Sequence, residues 1–131
     1  MEYLIGLVLP LAVAGYCIAI GFDRDRSFYP VVLMVIASFY VLFATMDVSL
    51  RALGAEIAVA VGFWLLAALG FKKNLWIVAA ATAGHGVFDL VHHLFIDNPG
   101  MPPFWPGFCM TFDVVFGAVV AVRLMRQRAR A

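Results

Sequence analysis

An all-α, polytopic transmembrane bundle of about five helices is the fold this sequence predicts, and three observations predict it. Hydrophobic residues make up 65% of the 131 and charged residues only 13%, against roughly 45–50% and about 25% in a typical soluble domain. The apolar residues fall into runs of the roughly 17–25 residues needed to cross a bilayer. Short stretches of charge, glycine and proline separate those runs. The whole chain, 1–131, therefore reads as one transmembrane domain, with membrane lipids as its surroundings. A net charge of +1 leaves no basic footprint for nucleic acid.

Spans can be drawn at about 3–22, 29–50, 54–71, 75–96 and 107–126. The first opens Met1-Glu2-Tyr3 with no Lys or Arg before Arg24. It lacks the basic start of a signal peptide and is expected to be retained. Pro10 is expected to kink it. Cys17 is not expected to be acylated, because Tyr16 stands where a lipoprotein site needs a small residue.

Asp23-Arg24-Asp25-Arg26 and Pro30 open the way to the second span, which carries Tyr40, Asp47 and Arg51 on one face by helical spacing. Asp47 and Arg51, four apart, either pair at the interface or leave Asp47 to bind metal. In the third span Glu56 sits near the helix start, where a carboxylate is favourable to the positive end of the dipole. A capping role is expected for it. Lys72-Lys73-Asn74 precedes the fourth span, and the fifth follows the stiff, proline-rich stretch from Asp97 to Gly107. Trp105 in that stretch serves either as part of a lid or as an interfacial anchor. Small residues such as Ala79 with Ala83 and Gly117 with Ala121 permit close helix approach.

Five spans place Arg24, Arg26, Lys72, Lys73, Arg123, Arg126, Arg128 and Arg130 on one side and leave only Arg51 on the other. By the excess of basic residues on cytoplasmic loops, the N-terminus is expected outside and the C-terminus in the cytoplasm. The expected location is a bacterial inner membrane. The same topology sets depth: Asp47, Glu56, His92 and His93 fall within about 5 Å of the outer helix ends, Asp89 and Asp113 at about 10 Å, and His85 and Tyr40 at roughly 15 Å. One outward-opening cavity gathering these groups is the expectation. Cys109 starts the fifth span on the outer side, about 20 Å from Cys17, so no disulfide joins them.

All three histidines lie in Gly84-His85-Gly86-Val87-Phe88-Asp89-Leu90-Val91-His92-His93. Ionisable groups in lipid are costly and usually functional. Spacings of i, i+4 and i+7 put His85, Asp89 and His92 on one side of a helix, with His93 at the margin. Imidazole and carboxylate suit zinc or non-haem iron. The candidate ligands are therefore His85, Asp89, His92 or His93, and Asp113, with Cys109 either a soft ligand or plain packing. Metal-free proton chemistry and a purely structural hydrogen-bond network are the alternatives. Haem is not expected, since all the histidines share one helix.

The strings Tyr29-Pro30-Val31-Val32-Leu33, Ile36 to Ala44, Gly84 to His92 and Trp105-Pro106-Gly107-Phe108-Cys109 together resemble a small bacterial membrane-protein family of unknown function. That resemblance covers most of the chain and implies no chemistry. A weaker one is to the seven-helix hydrolases that include alkaline ceramidases and adiponectin-receptor-like proteins. It implies zinc held by His85, His92 or His93, and Asp89, with Ser38 as the matching serine. The chain departs from that pattern in having five spans, all its histidines on one helix, and no pair of histidines four apart on the last. Asp89 to His93 also resembles half of a fatty-acid desaturase histidine box, but three histidines are too few for such a di-iron site.

The function expected first is metal-dependent hydrolysis of a lipid-like or amphipathic substrate. His85, His92 and a carboxylate would bind the ion, and Asp89 or Asp113 would take the proton from its water. The other expectations are a non-enzymatic transporter or subunit that binds protons or metal, and an assembly module. Transport by one protomer lacks polar residues inward of His85, whereas a homo-oligomer could form a path between chains.

Overall fold

Helix ends are where an apolar chain must still satisfy its backbone, and the caps explain the boundaries. The protein, described here by a computed structural model over residues 1–46 and 49–129, folds as five helices. They are α1 (Glu2–Ile20), α2 (Phe28–Met46), α3 (Leu50–Lys72), α4 (Leu75–Phe95) and α5 (Trp105–Arg128). Each is long and apolar enough to cross a membrane. Large apolar side chains such as Leu4, Val8, Val61 and Leu65 point outward from them, as lipid-facing surfaces require. This is an integral membrane protein.

α1 stops at Gly21, whose positive φ of 85° lets its N–H reach back to Cys17 and Ile18 carbonyls. A 3₁₀ turn, Phe22–Arg24, follows. Asp25 Oδ1 then accepts bonds from both the hydroxyl and the amide of Ser27, at 2.7 and 2.8 Å. Those bonds hold the Asp25 carboxyl below its ordinary range.

Two boundaries differ from the hydropathy reading, for the same reason. Ser49 Oγ accepts from Ala52 N at 3.2 Å, so α3 begins at Leu50 rather than near Gly54. Arg51 consequently belongs to α3 and cannot share a helix face with Tyr40. Asp47 itself lies outside the described residues. Likewise α5 begins at Trp105, because Pro106 in a first turn has no N–H to leave unbonded. Trp105 is thus helical rather than part of the loop.

α4 lies along α5 over most of its length and also touches α3; α2 packs on α3 and crosses α4; α1 packs chiefly on α5. Small residues bring α4 and α5 together. A Cβ at Gly117 would stand 3.0 Å from Ala79 O and 2.9 Å from Ala83 N.

Three of the basic residues meet at one end. Arg123 pairs with Asp23, Arg26 Nε donates to Phe71 O at 2.7 Å, and the Arg128 guanidinium lies 5.4 Å over the Trp76 ring. An apolar core near that end contains Leu33, Val78, Phe116 and Val120, and a smaller one of Ala44, Ala52 and Ile96 closes the other end. Between the two cores lies a layer of buried polar side chains.

Candidate metal centre

His85 and Asp89 are one turn apart on α4, and α5 supplies Asp113. His85 Nδ1 lies 2.8 Å from Asp113 Oδ2 and 3.6 Å from Asp89 Oδ2. All three side chains are buried to within 1% of complete. One ligand atom from each falls within 4.8 Å of the others. Asp113 comes this close because Gly86 has no side chain: a Cβ there would stand 2.8 Å from Met110 O and 3.0 Å from Asp113 Cβ. The Gly86 next to His85 is therefore part of the site's construction.

The polar inventory of this cluster does not balance by itself. Neither oxygen of Asp89 has a hydrogen-bond partner among the described residues, nor does Asp113 Oδ1 or the Tyr40 hydroxyl. The Phe63 ring stands edge-on to His85 at 4.6 Å. Two ionised carboxylates around a neutral imidazole would carry a charge of −2, so a cluster buried this deeply has to be balanced by protons or by a bound cation. A divalent cation cancels that charge and supplies partners to the orphaned oxygens. In this respect the residues fit a metal. The donor set, one imidazole and two carboxylates, suits zinc or iron. One distance would have to change: ligand atoms around one zinc stand roughly 3.3 Å apart at ordinary bond lengths, so the 2.8 Å contact between His85 and Asp113 must open slightly if both bind.

The other candidates lie elsewhere. His92 is on the same face of α4 as His85, but seven residues separate them by about 10.5 Å along the axis. A shared face is not a shared point, and His92 does not join the cluster. Its Nε2 instead lies 2.7 Å from Glu56 Oε1. Glu56 Oε1 also accepts from Asn98 Nδ2 at 2.8 Å, and Asn98 Nδ2 reaches Tyr40 O at 3.0 Å. Glu56 is fully buried in the second turn of α3, so the expected capping role is replaced by buried hydrogen bonding to His92 and Asn98. The earlier start of α3 is the cause.

Tyr40 joins the two groups, with its ring stacked on His92 at 4.2 Å and 21° and 6.2 Å from the ring of His85. His93 is exposed and lines a surface pocket with Arg51 and Asp97. The expected single open cavity is thus two adjacent buried groups, with His93 outside both.

Cys109 is a buried free thiol one turn before Asp113, outside the three-residue cluster. Trp105 packs edge-on against Phe39 at 5.3 Å and Phe43 at 4.8 Å, which ties the start of α5 to α2. Ser38 donates to Met34 O at 2.7 Å and faces a groove beside Trp64, away from the histidines. Its match to a hydrolase serine is not supported by position. Asn98 escaped the sequence reading altogether, since an asparagine in a proline-rich loop carries no signal of burial.

No known protein family, curated protein or solved structure matches this chain. The functional reading therefore rests on the site.

Proposed function

We propose that the protein is an integral membrane enzyme that holds one divalent cation between His85, Asp89 and Asp113 and hydrolyses an amphipathic, lipid-like substrate. The observation that carries this reading is Asp89: fully buried between an imidazole and a second carboxylate, with its Oδ2 3.6 Å from His85 Nδ1 and neither oxygen within hydrogen-bond distance of a donor among the described residues. A structural role would leave a buried carboxylate hydrogen-bonded.

A bound zinc or iron would supply a water of lowered pKa and polarise the scissile carbonyl. His85 and Asp113 would both hold the ion, their 2.8 Å contact opening slightly as it binds. Asp89 would take the proton released from the attacking water and pass it to the leaving oxygen. In an ester, the acyl C–O bond breaks, the acyl carbon gains the hydroxyl, and the alcohol leaves with the proton.

Transport of protons or metal through one protomer has less support. Toward the basic end from His85 the buried side chains Leu33, Val78, Phe116 and Val120 are apolar, and the buried Thr82 hydroxyl between them is spent on Val78 O at 2.8 Å.

The test is elemental analysis of protein purified in mild detergent without chelator, beside a His85→Ala/Asp89→Asn variant. Near-stoichiometric zinc or iron that disappears in a folded variant supports the reading. No metal in the wild type, even after reconstitution with zinc or iron, overturns it.

A further inference from the structure

We propose that the pocket between the start of α3 and the end of α4 binds the headgroup of a phospholipid that carries a primary ammonium, taking the phosphate on Arg51 and His93 and the ammonium on Asp97. The site goes beyond the hydrolase reading and does not depend on it. Its inner wall is formed by Ala52 and Ile96 of the smaller apolar core, and no residue of the metal cluster lines it.

The helix ends place this pocket at a membrane surface. α3 begins at Leu50 and α4 ends at Phe95, and both helices are long enough to span, so their paired ends stand where hydrocarbon gives way to headgroups. This is the end opposite Arg26, Arg123 and Arg128. The pocket has a volume of about 320 Å³, near the lower bound of the roughly 300–1,000 Å³ of small-molecule sites.

Charge selects the occupant. Arg51, His93 and Asp97 are exposed and line the same cavity, yet no ion pair joins Asp97 to Arg51 or to His93 among the described residues. Opposite charges held apart on one cavity fit a ligand that carries both. The guanidinium presents a fork of N–H donors suited to phosphate, and the imidazole adds a donor even when neutral. The Asp97 carboxylate only accepts, so a primary ammonium with three N–H donors satisfies it and a quaternary one does not. A lipid that is purely anionic sets its charge against Asp97. Phosphatidylethanolamine meets all of these requirements.

The surface beside the pocket suits the rest of such a molecule. Leu94 lines the rim, and Leu90 and Val87 continue its stripe back along α4 at helical spacing. All three are at least half exposed on a spanning helix. An acyl chain covers this strip while the headgroup sits in the pocket, which a soluble phosphate ester cannot do.

The experiment is native mass spectrometry of the full chain, released from detergent after incubation with equal amounts of phosphatidylethanolamine, phosphatidylcholine and phosphatidylglycerol of matched chains. Phosphatidylethanolamine should be retained about tenfold better than either of the others, equivalent to roughly 1.4 kcal/mol of binding. Arg51→Gln should lower its retention about tenfold. Asp97→Asn should bring phosphatidylethanolamine and phosphatidylcholine within about twofold of each other. Arg126→Gln, at an exposed position on the opposite end, should change nothing.

Equal retention of the three lipids, or phosphatidylethanolamine retention unchanged in Arg51→Gln, overturns the site. Preference for phosphatidylglycerol overturns the role of Asp97. Displacement of the lipid by an equal concentration of phosphoethanolamine or inorganic phosphate overturns a lipid as the occupant. The His85→Ala/Asp89→Asn variant separates this site from the metal centre: it should keep the lipid, and loss of lipid with the fold intact would overturn a site independent of that cluster.

Discussion

His85 Nδ1 and Asp113 Oδ2 stand 2.8 Å apart in the interior of a membrane bundle, and this contact is the main polar link between α4 and α5. It exists because glycines at 86 and 117 let two backbones approach that larger residues would hold apart. The same closeness aligns Asp89 beside both groups. Packing by small residues and the chemistry of the site are therefore one arrangement.

Replacing either partner should show that link in stability. Asp113→Ala leaves a buried imidazole without its partner, which costs about 1–3 kcal/mol. Asp113→Asn retains a hydrogen-bonding group and should lose less. Thermal unfolding in detergent, followed by near-UV circular dichroism, should rank wild type above Asp113→Asn and Asp113→Ala lowest.

The α4–α5 contact can be tested without touching an ionisable group. Gly86→Val places atoms against Met110 O and Asp113 Cβ, an overpacking that costs about 1–3 kcal/mol. Nothing lies within 4 Å of a Cβ at Gly62, so Gly62→Ala should be neutral or stabilise by up to about 1 kcal/mol. Comparable destabilisation by both would contradict the close α4–α5 packing.

His92 and His93, adjacent in sequence, should behave oppositely. His92→Ala removes one of the two hydrogen-bond partners of the buried Glu56 Oε1 and leaves Asn98 as the other, which costs about 1–3 kcal/mol. His93→Ala, at an exposed position, should stay within about 0.5 kcal/mol of wild type. Neither should lower bound metal per folded protein. Loss of metal on removing His92 alone would return it to the ligand set.

Metal removal should itself destabilise. A ligand at 100 times its dissociation constant contributes about 2.7 kcal/mol to the folded state. Chelation of the wild type should thus lower its unfolding temperature, while a His85→Ala/Asp89→Asn variant should not respond. Equal response by both would assign the effect to something other than this cluster.

Much of the architecture was legible in the sequence because bilayer thickness and backbone hydrogen bonding leave few options. An apolar run of sufficient length must be a helix. That logic set the five spans, their order, and the meeting of Arg26, Arg123 and Arg128 at one end. Helical spacing also identified His85 and Asp89 as neighbours, since i and i+4 are one turn apart on one face.

Tertiary structure decided what spacing along one helix could not. A shared face was read as a shared site, yet about 10.5 Å of rise separates His85 from His92, and each found its carboxylate on a different helix: Asp113 on α5, Glu56 on α3. Which acid meets which histidine depends on helix crossing and register. Those depend on a cap at Ser49, a first-turn proline at 106, and glycines that remove a few cubic ångströms where two backbones touch. Hydropathy is blind to all three, because each acts through local backbone geometry or short-range contact rather than through the average polarity of a segment.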